Sequence, residues 1–167
     1  MTTDCAGAMQ PLNSPLELGV RSLILLTAAF PRALGLDRLV LMDYCLLHSA
    51  DLGGPLSVLP AVPTRNGELG IKRSVLEHGV HVMSRAGLID LVTAADGVSY
   101  RASEEAGPFL RLVDSPLVGE LNEVADWLIS EFVDLPTDEV RHRIRMISQR
   151  WTEEFTWEPN DESGPLG

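Results

Sequence analysis

Three shortages frame this sequence: long apolar runs, cysteine and basic charge. Hydrophobic residues make up 45% of the 167 positions, yet none of their runs approaches the ~18 uninterrupted apolar residues of a membrane-spanning helix. The expectation is a chain that does not cross a bilayer. The two cysteines provide no disulfide framework: Cys5 falls in an N-terminal stretch expected to be mobile, and Cys45 in an apolar helical pattern that suits a small buried thiol. "MTTDCAGAMQPLNSP" has neither a basic leader nor an apolar signal core, which points to the cytoplasm. A Gly-rich phosphate loop, a GxSxG elbow, a Cys/His metal spacing and a carboxylate pair embedded in apolar sequence are all missing. The expectation is a protein without catalysis, cofactor, metal or small-molecule substrate.

The third shortage is uneven. Thirteen Lys and Arg face twenty-four Asp and Glu, for a net charge of -11, which disfavours the phosphate backbone as a default partner. Residues 1–60 carry three Arg against five acids, and residues 61–113 balance six against six. Residues 114–167 carry four Arg against thirteen acids. Only the middle third is neutral enough to tolerate an anionic partner.

What the sequence does contain is helical periodicity. In "NSPLELGVRSLILLTAAF", Ser14 and Glu17 have capping-box spacing and Pro15 suits a first helical position. Apolar residues then cover nearly every face, the pattern of a central helix, and Pro31 ends it. "LDRLVLMDYCLLHSA" makes a second apolar helix, with Asp37 as its expected N-cap.

That second helix runs into "LLHSADLGGPLSVLP", which packs His48, Ser49 and Asp51 ahead of Gly53, Gly54 and Pro55. A Ser-His-Asp triad needs groups converging from distant positions, and three side chains in one turn cannot line up in that way. His48 and Asp51 could share a helical face as metal ligands, but His78, His81 and His142 add no metal-binding motif. A helix stop explains the stretch better: His48 complements the dipole, Gly53 or Gly54 supplies a left-handed C-terminal residue, and Pro55 and Pro60 prevent resumption. The same rigid loop (His48, Ser49, Asp51, Gly53, Gly54, Pro55) is a candidate partner-binding surface.

After a Pro-rich loop, "ELGIKRSVLEHGVHVMSRAGL" predicts a third helix. Its apolar stripe is expected at Ile71, Val75, Val82, Met83 and Ala86, with Lys72, Arg73, Glu77, His81 and Arg85 opposite. Gly87 stops it. Leu88–Val92 and Val98–Ala102 read as strands around an Asp96-Gly97 turn, and "AGPFLRLV" either extends the hairpin or starts a helix. Three helices followed by a hairpin is the winged-helix order. Two further amphipathic helices follow: one with Leu117, Leu121, Val124, Ala125, Leu128 and Phe132 on one face, the other opening at a Thr137 cap with Val140, Ile144, Ile147, Trp151 and Phe155 in register. The expected fold is therefore mainly α with a small β-hairpin. A flexible tail (1–12) precedes a winged-helix-like domain (13–113), a C-terminal helical extension packed on it (114–156) and an acidic disordered tail (157–167).

Lys72, Arg73, Arg85 and Arg101 have the chemistry to meet phosphates, but Glu77, Glu104 and Glu105 interrupt them, and a winged helix of this charge leans toward protein contacts. Arg141, Arg145 and Arg150, with Arg143 nearby, form a second candidate basic surface, for protein or DNA. Pairing with Asp138, Glu139, Glu153 and Glu154 through i, i+4 contacts is the alternative use of those arginines. Trp157, just past the last helix, is a candidate interface anchor. A DNA-binding transcriptional regulator of winged-helix type stays open as the second reading.

The segments "NSPLELGVRSLILL", "DYCLLHSADLGGPLSVLPAVPTRNGE" and "GLIDLVTAADGVSYRASEEAGPFL" resemble the middle component 2 family of bacterial ABC-three-component systems, over roughly residues 13–133. These systems overlap Lamassu-type defence operons. The resemblance implies a small non-enzymatic subunit that bridges an SMC/Rad50-like ABC ATPase and a larger effector, often a nuclease, in defence against phages or plasmids. DNA would then be met only indirectly, through the complex.

Overall fold

The structure, a computed structural model, describes residues 14–58 and 68–156, apart from the side chains of 68–71 and 148–156. The expected N-terminal tail, Pro60 and the rest of the Pro-rich loop to residue 67, Trp157 and the acidic tail lie outside the described residues, as do the side chains of Ile71, Arg150, Trp151 and Phe155.

Helix α1 (Pro15–Ala29) starts on the expected capping box: the Ser14 N–H donates to Glu17 Oε2 at 2.9 Å, and the Glu17 N–H donates to Ser14 Oγ at 3.3 Å. These two bonds satisfy donors that a helix start leaves open. Leu18, Leu23, Ile24, Leu25 and Leu26 are all buried, so α1 is the central helix its sequence foretells. A two-residue strand, β1 (Leu34–Gly35), leads directly into α2 (Leu36–Leu47). Asp37 therefore does not cap α2. Gly35 takes the N-cap position without a side-chain bond, because the chain enters the helix from a strand, and Asp37 sits in the first turn.

A short 3-10 turn (Ser49–Leu52) follows, then α3 (Glu68–Arg85), β2 (Ile89–Ala94) and β3 (Gly97–Ala102). The hairpin is present, but the sheet has three strands, in the order β1-β3-β2, both pairs antiparallel. Two residues are too short for a period-two pattern, which is why β1 left no signal in the sequence. The Ala94–Gly97 pair closes the hairpin one residue earlier than the expected Asp96-Gly97 turn. "AGPFLRL" resolves as a helix, α4 (Ala106–Leu112). Helices α5 (Pro116–Phe132) and α6 (Thr137–Thr156) complete the fold, with Thr137 as the first helical residue of α6 rather than its cap. The result is mainly helical with one small sheet.

One hydrophobic cluster draws on α1, α2, α3, β2, β3, α4, α5 and α6. Arg38 joins α2 to the C-terminal helices: its guanidinium donates to the Phe132 carbonyl, to the Leu135 carbonyl at 2.7 Å and to Thr137 Oγ1 at 3.5 Å. It thereby adds a second donor to the Phe132 carbonyl at the end of α5, which also accepts from the Leu135 N–H at 3.0 Å. At the surface, Arg32 meets Asp134 at 2.6 Å.

The buried stripe of α3 differs from the expected one. Leu76, Gly79, Val80 and Met83 face inward, while Val82 is 38% exposed and Ala86 is exposed. The reason is a glycine contact. A Cβ on Gly19 would lie 2.8 Å from the Gly79 carbonyl oxygen, and one on Gly79 would collide with the Pro15 carbonyl oxygen. The two backbones nearly touch, so α3 turns its side-chain-free position toward α1 and rotates the stripe around it. A hydropathy pattern gives glycine little weight and misses this.

Candidate functional site

Where α1, α2 and α3 meet lies a set of charges that no motif search singles out. Asp43 is fully buried and accepts from Arg21 Nε at 2.6 Å, from Nη2 of the same guanidinium at 3.1 Å and from Lys72 Nζ at 2.8 Å. Burial pushes the Asp43 carboxyl upward, but the Lys72 ammonium and the Arg21 guanidinium outweigh it and hold the group below the usual carboxylate range. Lys72 is only 18% exposed; the residue expected on the solvent side of α3 turns inward to serve this carboxylate. Arg21 and Asp43 are functional-looking residues that sequence reasoning passed over. The available signal was a charge in the middle of each of two largely apolar helices, Arg21 beyond the first turn of α1 and Asp43 beyond that of α2, since such a charge is buried only with a partner.

Cys45, one helical step beyond Asp43, is buried, and burial pushes its thiol up to about 12. It is a packing thiol with no thiolate chemistry at neutral pH. Among the described residues, no group of three or more His, Cys, Asp and Glu is arranged to hold a metal ion.

The loop after α2 is stapled to itself. Ser49, fully buried, donates through Oγ to the Pro55 carbonyl at 2.9 Å, and the Ala50 N–H donates to Ser57 Oγ at 3.0 Å. The Gly54 N–H donates to the Ser49 carbonyl at 3.0 Å. Gly53 has φ +78°, the left-handed stop expected of one of the two glycines. Gly54 has another reason to be glycine: a Cβ there would collide with the Trp127 indole of α5. His48 caps the end of α2, is buried, and lies 4.7 Å from the Tyr44 ring. Burial lowers its pKa, which favours the neutral ring, and among the described residues its Nδ1 makes no hydrogen bond. Of the candidate loop residues, His48 and Ser49 are thus internal, Asp51 and Gly54 half-buried, and Gly53 and Pro55 exposed. Next to them Leu56 is 90% exposed.

The candidate basic surfaces are largely neutralised from within. Arg73 pairs with Asp37 of α2, and Arg101 lies 3.8 Å from Asp90 across the hairpin. Arg141 pairs with Asp138 at 2.9 Å and Arg143 with Glu139 at 3.2 Å, the i, i+3 and i, i+4 arrangement set out as the alternative. Arg143 also lies over the Phe132 ring, 5.6 Å from its centroid. Arg85 and Arg145 are exposed. The structure therefore does not gather Lys72, Arg73, Arg85 and Arg101 into one open cationic face.

No helix among the described residues is long and apolar enough to cross a membrane. Residues 11–154 match the family model of the ABC-three component (ABC-3C) system Middle Component 2. No curated protein and no solved structure matches the chain.

Proposed function

The chain belongs to the ABC-three component system Middle Component 2 family, and from that premise we propose that it is a non-catalytic, cytoplasmic adaptor. It bridges an SMC/Rad50-like ABC ATPase and an effector, of nuclease type, in a Lamassu-like complex directed against phages and plasmids. The order α1-β1-α2-α3-β2-β3 is read here as a winged helix, with β1 as its short third strand and α5–α6 as an added helical layer.

The observation that carries this reading is the fate of the cations. On a DNA-reading winged helix, the third helix and the wing present free Lys and Arg to phosphates. In this chain Lys72, Arg73 and Arg101 face Asp43, Asp37 and Asp90. Releasing them to DNA would break contacts within the protein, against a net charge of -11. Protein contact needs no such exchange, and the apolar residues Val82, Leu91 and Val98 lie exposed on α3 and the wing.

The test is co-expression with the other two components of its own system, followed by purification and sedimentation. The expected result is one complex containing all three proteins. The isolated chain is expected to leave duplex DNA unshifted at about 150 mM salt, because few counterions are released. A tight, sequence-dependent shift by the chain alone, without stable association with either component, would overturn the adaptor in favour of a transcriptional regulator.

A further inference from the structure

Among the described residues, strand β2 is an edge that the fold leaves open. In the order β1-β3-β2 only one side of it is paired, and four of its six residues are exposed. The direction of its free groups follows from one hydrogen bond. The Ser103 N–H donates to the Leu88 carbonyl at 2.9 Å, and in an antiparallel ladder mutually bonded pairs recur at every second residue. With the register observed, the bonded pairs are Asp90/Arg101, Val92/Ser99 and Ala94/Gly97. Ile89, Leu91 and Thr93 therefore turn their N–H and C=O groups away from β3; Ile89 is buried, which leaves those of the exposed Leu91 and Thr93 on the open side.

Natural sheets protect such edges with lysine, proline, a bulge or a very short strand. "IDLVTA" uses none of these; its one charge, Asp90, already faces Arg101. Leu91 is 52% exposed, and Val98 on β3, on the same face of the sheet, is 49% exposed. An incoming strand would therefore find free backbone groups along the edge and an apolar ledge beside it. The residues in and flanking the hairpin are acidic on balance: Asp90, Asp96, Glu104 and Glu105 outnumber Arg85 and Arg101, and Asp90, Glu104 and Glu105 line one pocket with Arg101. A second copy of this chain would bring a further net charge of -11 to that edge, which opposes self-pairing.

We propose that the outer edge of β2 is a docking site for an extended segment of another component of the same system, apolar at alternate positions and net positive, which adds a fourth strand to the sheet. The proposal rests on the adaptor reading and names one surface through which it works.

Thr93→Pro tests it. This variant removes one outward N–H while leaving the Val92 and Ala94 bonds to β3 in place, and proline is accommodated where an edge strand faces solvent. Thr93→Ala keeps the N–H and is the control. Affinity for the co-expressed components is expected to fall at least about tenfold in Thr93→Pro, the equivalent of roughly 1.4 kcal/mol, and to stay near wild type in Thr93→Ala. Hydrogen exchange in the wild-type complex should slow at the Leu91 and Thr93 amides. Should Thr93→Pro melt early as a free chain, Leu91→Lys replaces it, charging the ledge without touching the backbone. Wild-type affinity in the folded variants together with unprotected amides overturns the proposal and leaves the adaptor reading standing. A homodimer dissolved by Thr93→Pro overturns it in favour of a second copy. Failure of the wild-type chain to bind either component removes the adaptor reading, and the strand-docking proposal with it.

Discussion

Where α1 crosses α3, two glycines bring backbone against backbone and a carboxylate without solvent access holds two cations; at the hairpin, β2 leaves the backbone groups of two exposed residues, Leu91 and Thr93, unpaired among the described residues. Both regions belong to the same hydrophobic cluster. They differ in who satisfies their polar groups. Around Asp43 every charge has a counter-charge from the same chain, so a change there is felt as lost stability. Along β2 the open partners are external, so a change there should be felt in assembly and hardly at all in the free fold.

The comparison can be broken most forcefully at Asp43. Asp43→Ala leaves Arg21 and Lys72 facing each other across a buried site, and breaking a buried pair from one side typically costs about 3–5 kcal/mol. Urea denaturation of the free chain should show a loss of that order. Replacing all three groups together with apolar residues of similar size should recover most of it, since the penalty lies in the uncompensated charge. A smaller loss, about 1–3 kcal/mol, is expected for Gly79→Ala, whose methyl group would force α3 away from the Pro15 carbonyl. Thermal melting measures it, and a melt unchanged from wild type would mean that the crossing is looser than described.

Acidification sharpens the same contrast. The Asp43 carboxyl is depressed in the folded state, and burial likewise depresses His48. A depressed folded-state pKa gives stability that is present above the unfolded value and lost as pH falls through the folded one. The His48 contribution should therefore weaken below about pH 6.5 and the Asp43 contribution only below about pH 4. In a series of melts against pH, His48→Gln should flatten the upper part of the decline and leave the lower part in place. The smallest effect is expected at the hairpin: Thr93→Pro should change the stability of the free chain by about 0.5 kcal/mol or less, the usual range for an exposed site.

Helix-by-helix legibility follows the same division. The capping box at Ser14 and Glu17, the buried α1 and α2, and the hairpin could be read directly, because each depends on residues a few positions apart. The left-handed Gly53 was legible as one of two candidates, but the reason for Gly54 was not, because Trp127 lies more than seventy positions away. The stripe of α3 was placed correctly at Val75 and Met83 but wrongly at Val82 and Ala86 for a related reason: Gly79 faces α1 because nothing larger fits there. Lys72 read as part of a cationic face because its neighbours Arg73 and Arg85 are cationic. Its actual direction depends on a carboxylate contributed by another helix.

The sequence by itself determined which segments are helices, where the hairpin lies, that the C-terminal third is acidic and, through its motifs, the family. Those properties arise from local spacing and from sums over the chain. Tertiary structure alone decided which charges cancel, which glycines are contacts and which strand is left at an edge. Pairing and edges are relations between segments far apart in the chain, and their distances are fixed only once the helices have packed.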